Sequence, residues 1–326
     1  MNLRGPSLPR ECPWPVKAQV INEIAIPHPP IEESPNFLAR IEPRCLVNAA
    51  RCYNPSIARH NGKIIMAYRA ESYTAVSRVA YARLDSEMRV REAGSVPLPE
   101  DDPDCHWEDP RLCVCDGHLY LMAAYIRLVV PPVCRQRLFE IDAVTMEPIQ
   151  EVKMTFGKLG GIEKNWTPFE DAFGQLAFVY QQRPRMVIEV GSMRGHESEA
   201  PAIAPAGNTL SGRTPPVRMG DSYLEFVGGW HRIPTRNGRY WFGAQLFGAK
   251  PPYKVTNFTK EPLLWGSEGS PTIHSPRPNA GHPCCVFPAG AIVDGDDVTV
   301  SVGVNDSYCC LMRYSVAELL ERMVPA

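Results

Sequence analysis

Residues 54–69 read NPSIARHNGKIIMAYR, and residues 109–125 read DPRLCVCDGHLYLMAAY. Each stretch begins with a polar residue and a proline, runs as a short alternating strand into a glycine turn, and returns as a strand rich in apolar and aromatic residues. The phrase recurs as TPFEDAFGQLAFVYQQ (167–182), PPVRMGDSYLEFVGGW (215–230) and FPAGAIVDGDDVTVSVG (287–303). From Pro55, Pro110, Pro168, Pro216 and Pro288 to the turn glycines Gly62, Gly117, Gly174, Gly220 and Gly295, the steps are 7, 7, 6, 4 and 7 residues. One hairpin has been repeated five times.

Shorter strand candidates follow each hairpin, such as VAYARLD and REAGSVPL after the first copy, which makes four strands per unit. Successive prolines lie 55, 58, 48 and 72 residues apart, the spacing of four-stranded blades with loops of variable length. The expected fold is therefore all-β: a five-bladed β-propeller over residues 46–326, preceded by an irregular, proline-rich N-terminal arm over residues 1–45. A β-sandwich with an accidental proline rhythm is the competing reading.

Composition agrees with many short elements and frequent turns. The 33 prolines and 24 glycines are spread along the chain, and 44% hydrophobic with 21% charged residues is ordinary for a globular domain. A formal net charge of −2 gives no basic field for a phosphate backbone, so nucleic acid is not an expected partner. No apolar run is long enough to cross a bilayer, and Met1–Pro15 has prolines and charges where a signal peptide needs an apolar stretch; no membrane association and a cytoplasmic location are expected.

The eleven cysteines show neither paired CxxC motifs nor any other metal-ligand spacing, since Cys284-Cys285 and Cys309-Cys310 are adjacent and Cys113 and Cys115 alternate. They are expected to be reduced, mostly buried side chains, with no metal site and no bound cofactor. No Walker loop, dinucleotide fingerprint or Gly-x-Ser-x-Gly elbow is present.

In a propeller the innermost strands line a central channel, so residues where those strands begin gather at one mouth. The polar residues at these positions are Asn54, Asp109, Lys164 with Asn165 and Thr167, Arg213 with Thr214, and Asn305 with Asp306. One acid among cations and amides suits a sugar and an anion. His106-Trp107-Glu108-Asp109-Pro110-Arg111 adds an aromatic that suits stacking on a sugar and a carboxyl suited to general acid catalysis. The alternative is that Asp109 caps a turn and pairs with Arg111. Arg69, with Tyr68 and Glu71 at the end of the first hairpin, and Trp166 are further candidates for sugar contact, and each also has a purely structural reading.

Glu108-Asp109-Pro110-Arg111, Glu163-Lys164-Asn165-Trp166-Thr167-Pro168-Phe169, Gly212-Arg213-Thr214-Pro215-Pro216 and Val286-Phe287-Pro288-Ala289-Gly290 occur in the order and approximate spacing of glycoside hydrolase family 130, which the chain resembles over roughly residues 50 to 315. That resemblance implies a five-bladed propeller that cleaves β-mannosides with inversion, by phosphorolysis in many members and by hydrolysis in some. It further implies Asp109 as the catalytic acid, Lys164 and Arg183 as contacts to phosphate, and a glycoside or oligosaccharide as substrate, with inorganic phosphate as co-substrate. The chain departs from the family at Gln182-Arg183-Pro184, where many members read His-Arg-Pro, and at Gly228-Gly229-Trp230, where they read Tyr-His-Gly.

Inverting hydrolysis needs a second carboxylate to activate water, for which Glu163, Glu170, Glu225 and Asp306 are candidates; phosphorolysis needs fixed cations instead. Phosphorolysis is the leading expectation, hydrolysis the second, and a non-catalytic glycan-binding propeller the third. Oligomeric state, aglycone and pathway leave no mark on the sequence.

Overall fold

The computed structural model describes residues 29–41, 49–74, 76–100, 105–127, 132–154, 162–200, 210–233, 236–267 and 284–326. The arm before residue 29 lies outside the described residues. The five repeated hairpins form the inner strands of five antiparallel sheets, taken in chain order. The first sheet comprises Arg51–His60, Lys63–Glu71, Ser77–Leu84 and Val90–Ser95, and the second Cys105–Cys115, His118–Arg127, Val133–Ile141 and Pro148–Val152. The third comprises Thr167–Glu170, Leu176–Gln182, Arg185–Glu189 and Gly195–Ser198.

The tight turns follow from residue type. Asn61-Gly62 and Asp116-Gly117 have φ of 48° and 74°, and of 48° and 76°, so both central residues are left-handed, as a two-residue hairpin whose twist matches its strands requires. Inner strands are buried on both faces, as in Arg51–His60, whereas the outermost Val90–Ser95 is largely exposed. That gradient is the burial expected of sheets standing radially around an axis.

Each gap between successive sheets holds its own apolar core. Val79 and Trp107 meet between the first and second sheets, and Met122 and Trp166 between the second and third. Phe169 and Tyr223 meet between the third and fourth, and Phe226 and Val300 between the fourth and fifth. Ile57 and Leu311 join the fifth sheet back to the first, which closes a propeller-like ring. The β-sandwich reading is excluded, because a sandwich has one core between two sheets and no cyclic return.

Two departures from the expected layout concern the ends and the fourth sheet. Phe37–Ile41, placed in the arm by the sequence, is the outermost strand of the fifth sheet, pairing with Tyr308–Ser315 outside Asp297–Val304 and Val286–Asp294. The chain's first described strand thus completes its last sheet. The fourth sheet has seven strands rather than four, built on Ser222–Ile233 and Arg236–Gly248, with Val255–Thr259, short pieces at Ser211–Gly212, Val217–Met219 and Leu264–Trp265, and the C-terminal Met323–Pro325.

The fourth inner strand is broken because Pro215 and Pro216 cannot donate to a ladder. The backbone N–H groups of Arg213 and Thr214 converge instead on the Phe226 carbonyl at 3.1 and 3.2 Å, and the Thr214 hydroxyl accepts from the Phe226 N–H at 2.9 Å.

Among the described residues, no helix is long and apolar enough to cross a membrane, and no cluster of His, Cys, Asp and Glu is arranged to hold a metal. The nine described cysteines are all buried and unbridged, while Cys12 and Cys45 lie outside the described residues.

Candidate active site

Ladder register slips at the proline in three inner strands: between Tyr53 and Ser56, between Glu108 and Arg111, and between Pro288 and Gly290. In the first two, the residue before proline is left-handed, with φ 51° at Asn54 and 50° at Asp109. Such bulges bend the strand and re-aim a side chain, and Asn and Asp are among the few residues that tolerate this backbone. Here they aim two side chains from neighbouring sheets at each other. Asn54 Nδ2 donates to Asp109 Oδ1 at 2.8 Å. Gly303 permits the approach, because a Cβ there would stand 2.2 Å from Asn54 Oδ1 and 2.6 Å from its backbone nitrogen.

Around this pair lies a web of charge. Glu108 is bridged by Arg69 at 2.6 Å and by Lys164 at 2.8 Å, and Lys164 Nζ stands 4.0 Å from Asp109 Oδ2. The Asp109 side chain is 13% exposed, so it reaches solvent while largely withdrawn from it. Burial pulls the Lys164 ammonium down, but Glu108 and then Asp109 more than reverse it, leaving Lys164 well above its usual range. For Arg69, burial is likewise outweighed by Glu108, with Tyr53, Asp109 and Asp306 adding to the rise. Arg69 is held from below by its Nε–H to Ser77 Oγ at 3.0 Å and by the Tyr53 ring at 4.8 Å.

Arg111 and Arg213 complete the mouth from the second and fourth sheets, buried and under the field of Asp109. Asn305 and Asp306, with φ 51° and 48°, close it from the fifth sheet; Asn305 exchanges hydrogen bonds with Cys285 at 2.9 Å in both directions. Asn165, with φ 64°, stands at the start of the third inner strand, and its carbonyl passes beside Gly212. Four cations (Arg69, Arg111, Lys164, Arg213) therefore share one electrostatic field with three carboxylates (Glu108, Asp109, Asp306).

Two expected aromatic contacts stand elsewhere. Trp166 is 3% exposed and stacks on Phe178, centroids 4.8 Å apart and planes 7° apart, with Tyr180 tilted against it at 5.1 Å. Its faces are occupied, so it anchors the core and is not a platform for sugar. Trp107 is fully buried between Tyr125 and Phe139, and its indole N–H is spent on the Pro99 carbonyl. Arg183 lies on the exposed turn between Leu176–Gln182 and Arg185–Glu189.

The candidate bases also separate. Glu225 is fully buried, ion-paired with Arg185 and bonded by Gln182 and Gln245. Glu170 accepts the Asp116 N–H at 2.9 Å, at the hairpin-turn end of the ring opposite the mouth. Glu163 is buried, and its carboxylate takes up the Tyr180 hydroxyl. Asp306 acts together with Asp109 on Arg69 and on Cys285.

Sequence reading missed the supports. Tyr53, Ser77, Phe287 and Tyr240 hold the site arginines; Tyr53 and Phe287 sit two residues and one residue before the repeated prolines, a position that could have marked them.

No sequence-family profile and no curated protein matches the chain. Solved structures do match. A glycosyl hydrolase from Bacteroides ovatus is 16% identical with a TM-score of 0.61, covering 85% of each chain. β-1,2-Mannobiose phosphorylase from Listeria innocua, in complex with β-1,2-mannobiose, is 15% identical with a TM-score of 0.60, covering 83% of this chain and 91% of that one. A third structure, described within family 130 of mannoside phosphorylases as concerning glycoside hydrolases that target β-1,2-mannosidic linkages in Candida mannan, is 16% identical with a TM-score of 0.60, covering 81% and 84%. At these identities the likeness is one of fold, and in fold the chain resembles glycoside hydrolase family 130.

Proposed function

We propose that this chain is an inverting, glycoside-cleaving enzyme on a five-bladed propeller, with the seven-stranded sheet as its fourth blade, that cleaves β-mannosides by phosphorolysis. The observation that carries the reading is Asp109: a carboxyl on a left-handed backbone, fixed by Asn54 from the neighbouring sheet, 13% exposed and sharing its field with four cations. Strained backbone at a functional group is where such conformations concentrate.

In this mechanism Asp109 delivers its proton to the glycosidic oxygen, directly or through a sugar hydroxyl, as the bond from that oxygen to the anomeric carbon breaks. A phosphate oxygen attacks the anomeric carbon from the opposite face, so a β-mannoside gives α-mannose 1-phosphate and a free leaving alcohol. Phosphate is already an anionic nucleophile and needs cations rather than a base. The excess of cations over carboxylates favours it, as do the positions of Glu170, at the opposite end of the ring, and of Glu225, committed to Arg185. Asn54, Arg69 and Asp306 are assigned to sugar hydroxyls.

Asp109→Asn keeps the shape and the bond to Asn54 but cannot donate the proton. Turnover on β-mannosides is expected to fall by about 10²–10⁴-fold, with substrate binding retained. A variant as active as wild type would remove Asp109 from the chemistry. Glycan binding without turnover in either protein would favour a recognition module.

A further inference from the structure

Arg111 and Arg213 come from different sheets and meet on an aromatic ring from a third. Their guanidinium carbons lie 5.0 and 4.4 Å from the centroid of Phe287. Both side chains are buried, at 1% and 4% exposure, and neither forms an ion pair among the described residues, unlike Arg51, Arg69 and Arg185, each of which has a glutamate. Arg111 Nη1 donates to the carbonyls of Asp109 and Pro110 at 3.2 and 2.9 Å, whereas its Nε and Nη2, and Arg213 Nε, have no hydrogen-bond partner among the described residues.

Unpartnered N–H groups on buried, like-charged neighbours are costly. Burial pushes Arg111 down to about 10, with Arg213 pushing the same way and Asp109 opposing, and burial lowers Arg213 as well. Two such charges persist side by side where something else completes them. The chain also makes room for this pair. A Cβ on Gly228 would stand 2.4 Å from the Trp241 carbonyl and 3.1 Å from Arg213 Nε.

We propose that Arg111 and Arg213 form a clamp for one small oxyanion against Phe287, two residues along the inner strand from Asp109. The clamp rests on the reading of this mouth as the substrate site, and it assigns the anion to neither Lys164 nor Arg183. Lys164 is already engaged by Glu108, and Arg183 sits on an exposed turn. Guanidinium forks suit tetrahedral and planar oxyanions alike, so the ligand is either free inorganic phosphate or the carboxylate of an acidic sugar.

Calorimetric titration with inorganic phosphate and, separately, with methyl mannosiduronate tests this on the wild type, Arg213→Gln, Arg111→Gln and the surface control Arg91→Ala. One of the two anions is expected to bind the wild type and the control equally, and to bind Arg213→Gln more weakly by about tenfold or more. Without anion, Arg213→Gln is expected to be no less heat-stable than wild type, because an unpaired buried charge has gone. The anion should raise the melting temperature of the wild type and not of the variant.

Binding of phosphate alone identifies the free ion, and binding of the uronate alone identifies an acidic sugar. Absence of binding by both up to about 50 mM, or unchanged affinity in Arg213→Gln, would overturn the clamp. Should Arg111→Gln not fold, Arg213→Gln carries the test by itself. Because no turnover is measured, failure of the proposed reaction and failure of the clamp are read independently.

Discussion

Neutralising Glu108 separates the electrostatic frame of the mouth from its acid. Glu108 Oε1 faces Arg69 at 2.6 Å and Oε2 faces Lys164 at 2.8 Å; Glu108→Gln turns one of these oxygens into an amide and leaves two cations without their shared anion. Breaking a buried pair costs about 3–5 kcal/mol. Arg69 and Glu108 are 10% and 8% exposed, but Lys164 is 31% exposed and water compensates it in part, which brings the cost below that range to about 2–3 kcal/mol, or about 3–4 °C in melting temperature.

The pH dependence follows from Lys164, which is held above its ordinary 10.5 in the folded protein. A cation raised in this way contributes fully below 10.5 and loses that contribution as pH climbs through the folded value. The gap between wild type and variant should therefore be constant from about pH 7 to 9 and narrow only in strong alkali. Urea unfolding at several pH values measures it. Turnover should fall by no more than about tenfold, since no proton donor is lost. A stability difference under about 1 kcal/mol, or a turnover loss matching that of Asp109→Asn, would refute this division of roles.

Two further outcomes follow from the same structure. Glu225→Ala, which strands the fully buried Arg185, should cost about 3–5 kcal/mol in urea unfolding while the folded protein keeps near-wild-type turnover; a stable but inactive variant would return Glu225 to the list of bases. All nine described thiols are buried, and burial pushes Cys115 up to about 12 and Cys134 up to about 11; the nine should resist a thiol reagent at pH 8 and react on unfolding, and fast labelling of any of them in the native protein would contradict their packing.

The ring and the place of Asp109 in it were legible in the sequence for one shared reason. A polar residue before proline, at the head of an alternating strand, marks both the innermost strand and the bulge that turns Asn54 and Asp109 inward, so periodicity alone led to the mouth. What escaped was set by packing between sheets. Nothing around Trp166 in the chain reveals that Phe178 covers one face, and Glu225 looks like any strand glutamate until Arg185 from the preceding sheet is brought against it. The additional pieces of the fourth sheet, Ser211–Gly212, Leu264–Trp265 and Met323–Pro325, are two or three residues long, too short for a period-two pattern to register. Phe37–Ile41 was hidden by the proline-rich arm around it, because its strand character depends on an edge offered by Tyr308–Ser315 about 270 residues later.

The central claim is that phosphate, not water, takes the sugar from the leaving group at Asp109. It is tested most directly by proton and phosphorus NMR of the wild-type protein with β-1,2-mannobiose, with and without inorganic phosphate. The account predicts α-mannose 1-phosphate and mannose in equal amounts when phosphate is present, and no cleavage in its absence. Free mannose released at the same rate in both tubes would contradict it and leave a hydrolase in which Asp306 or Glu163 activates water.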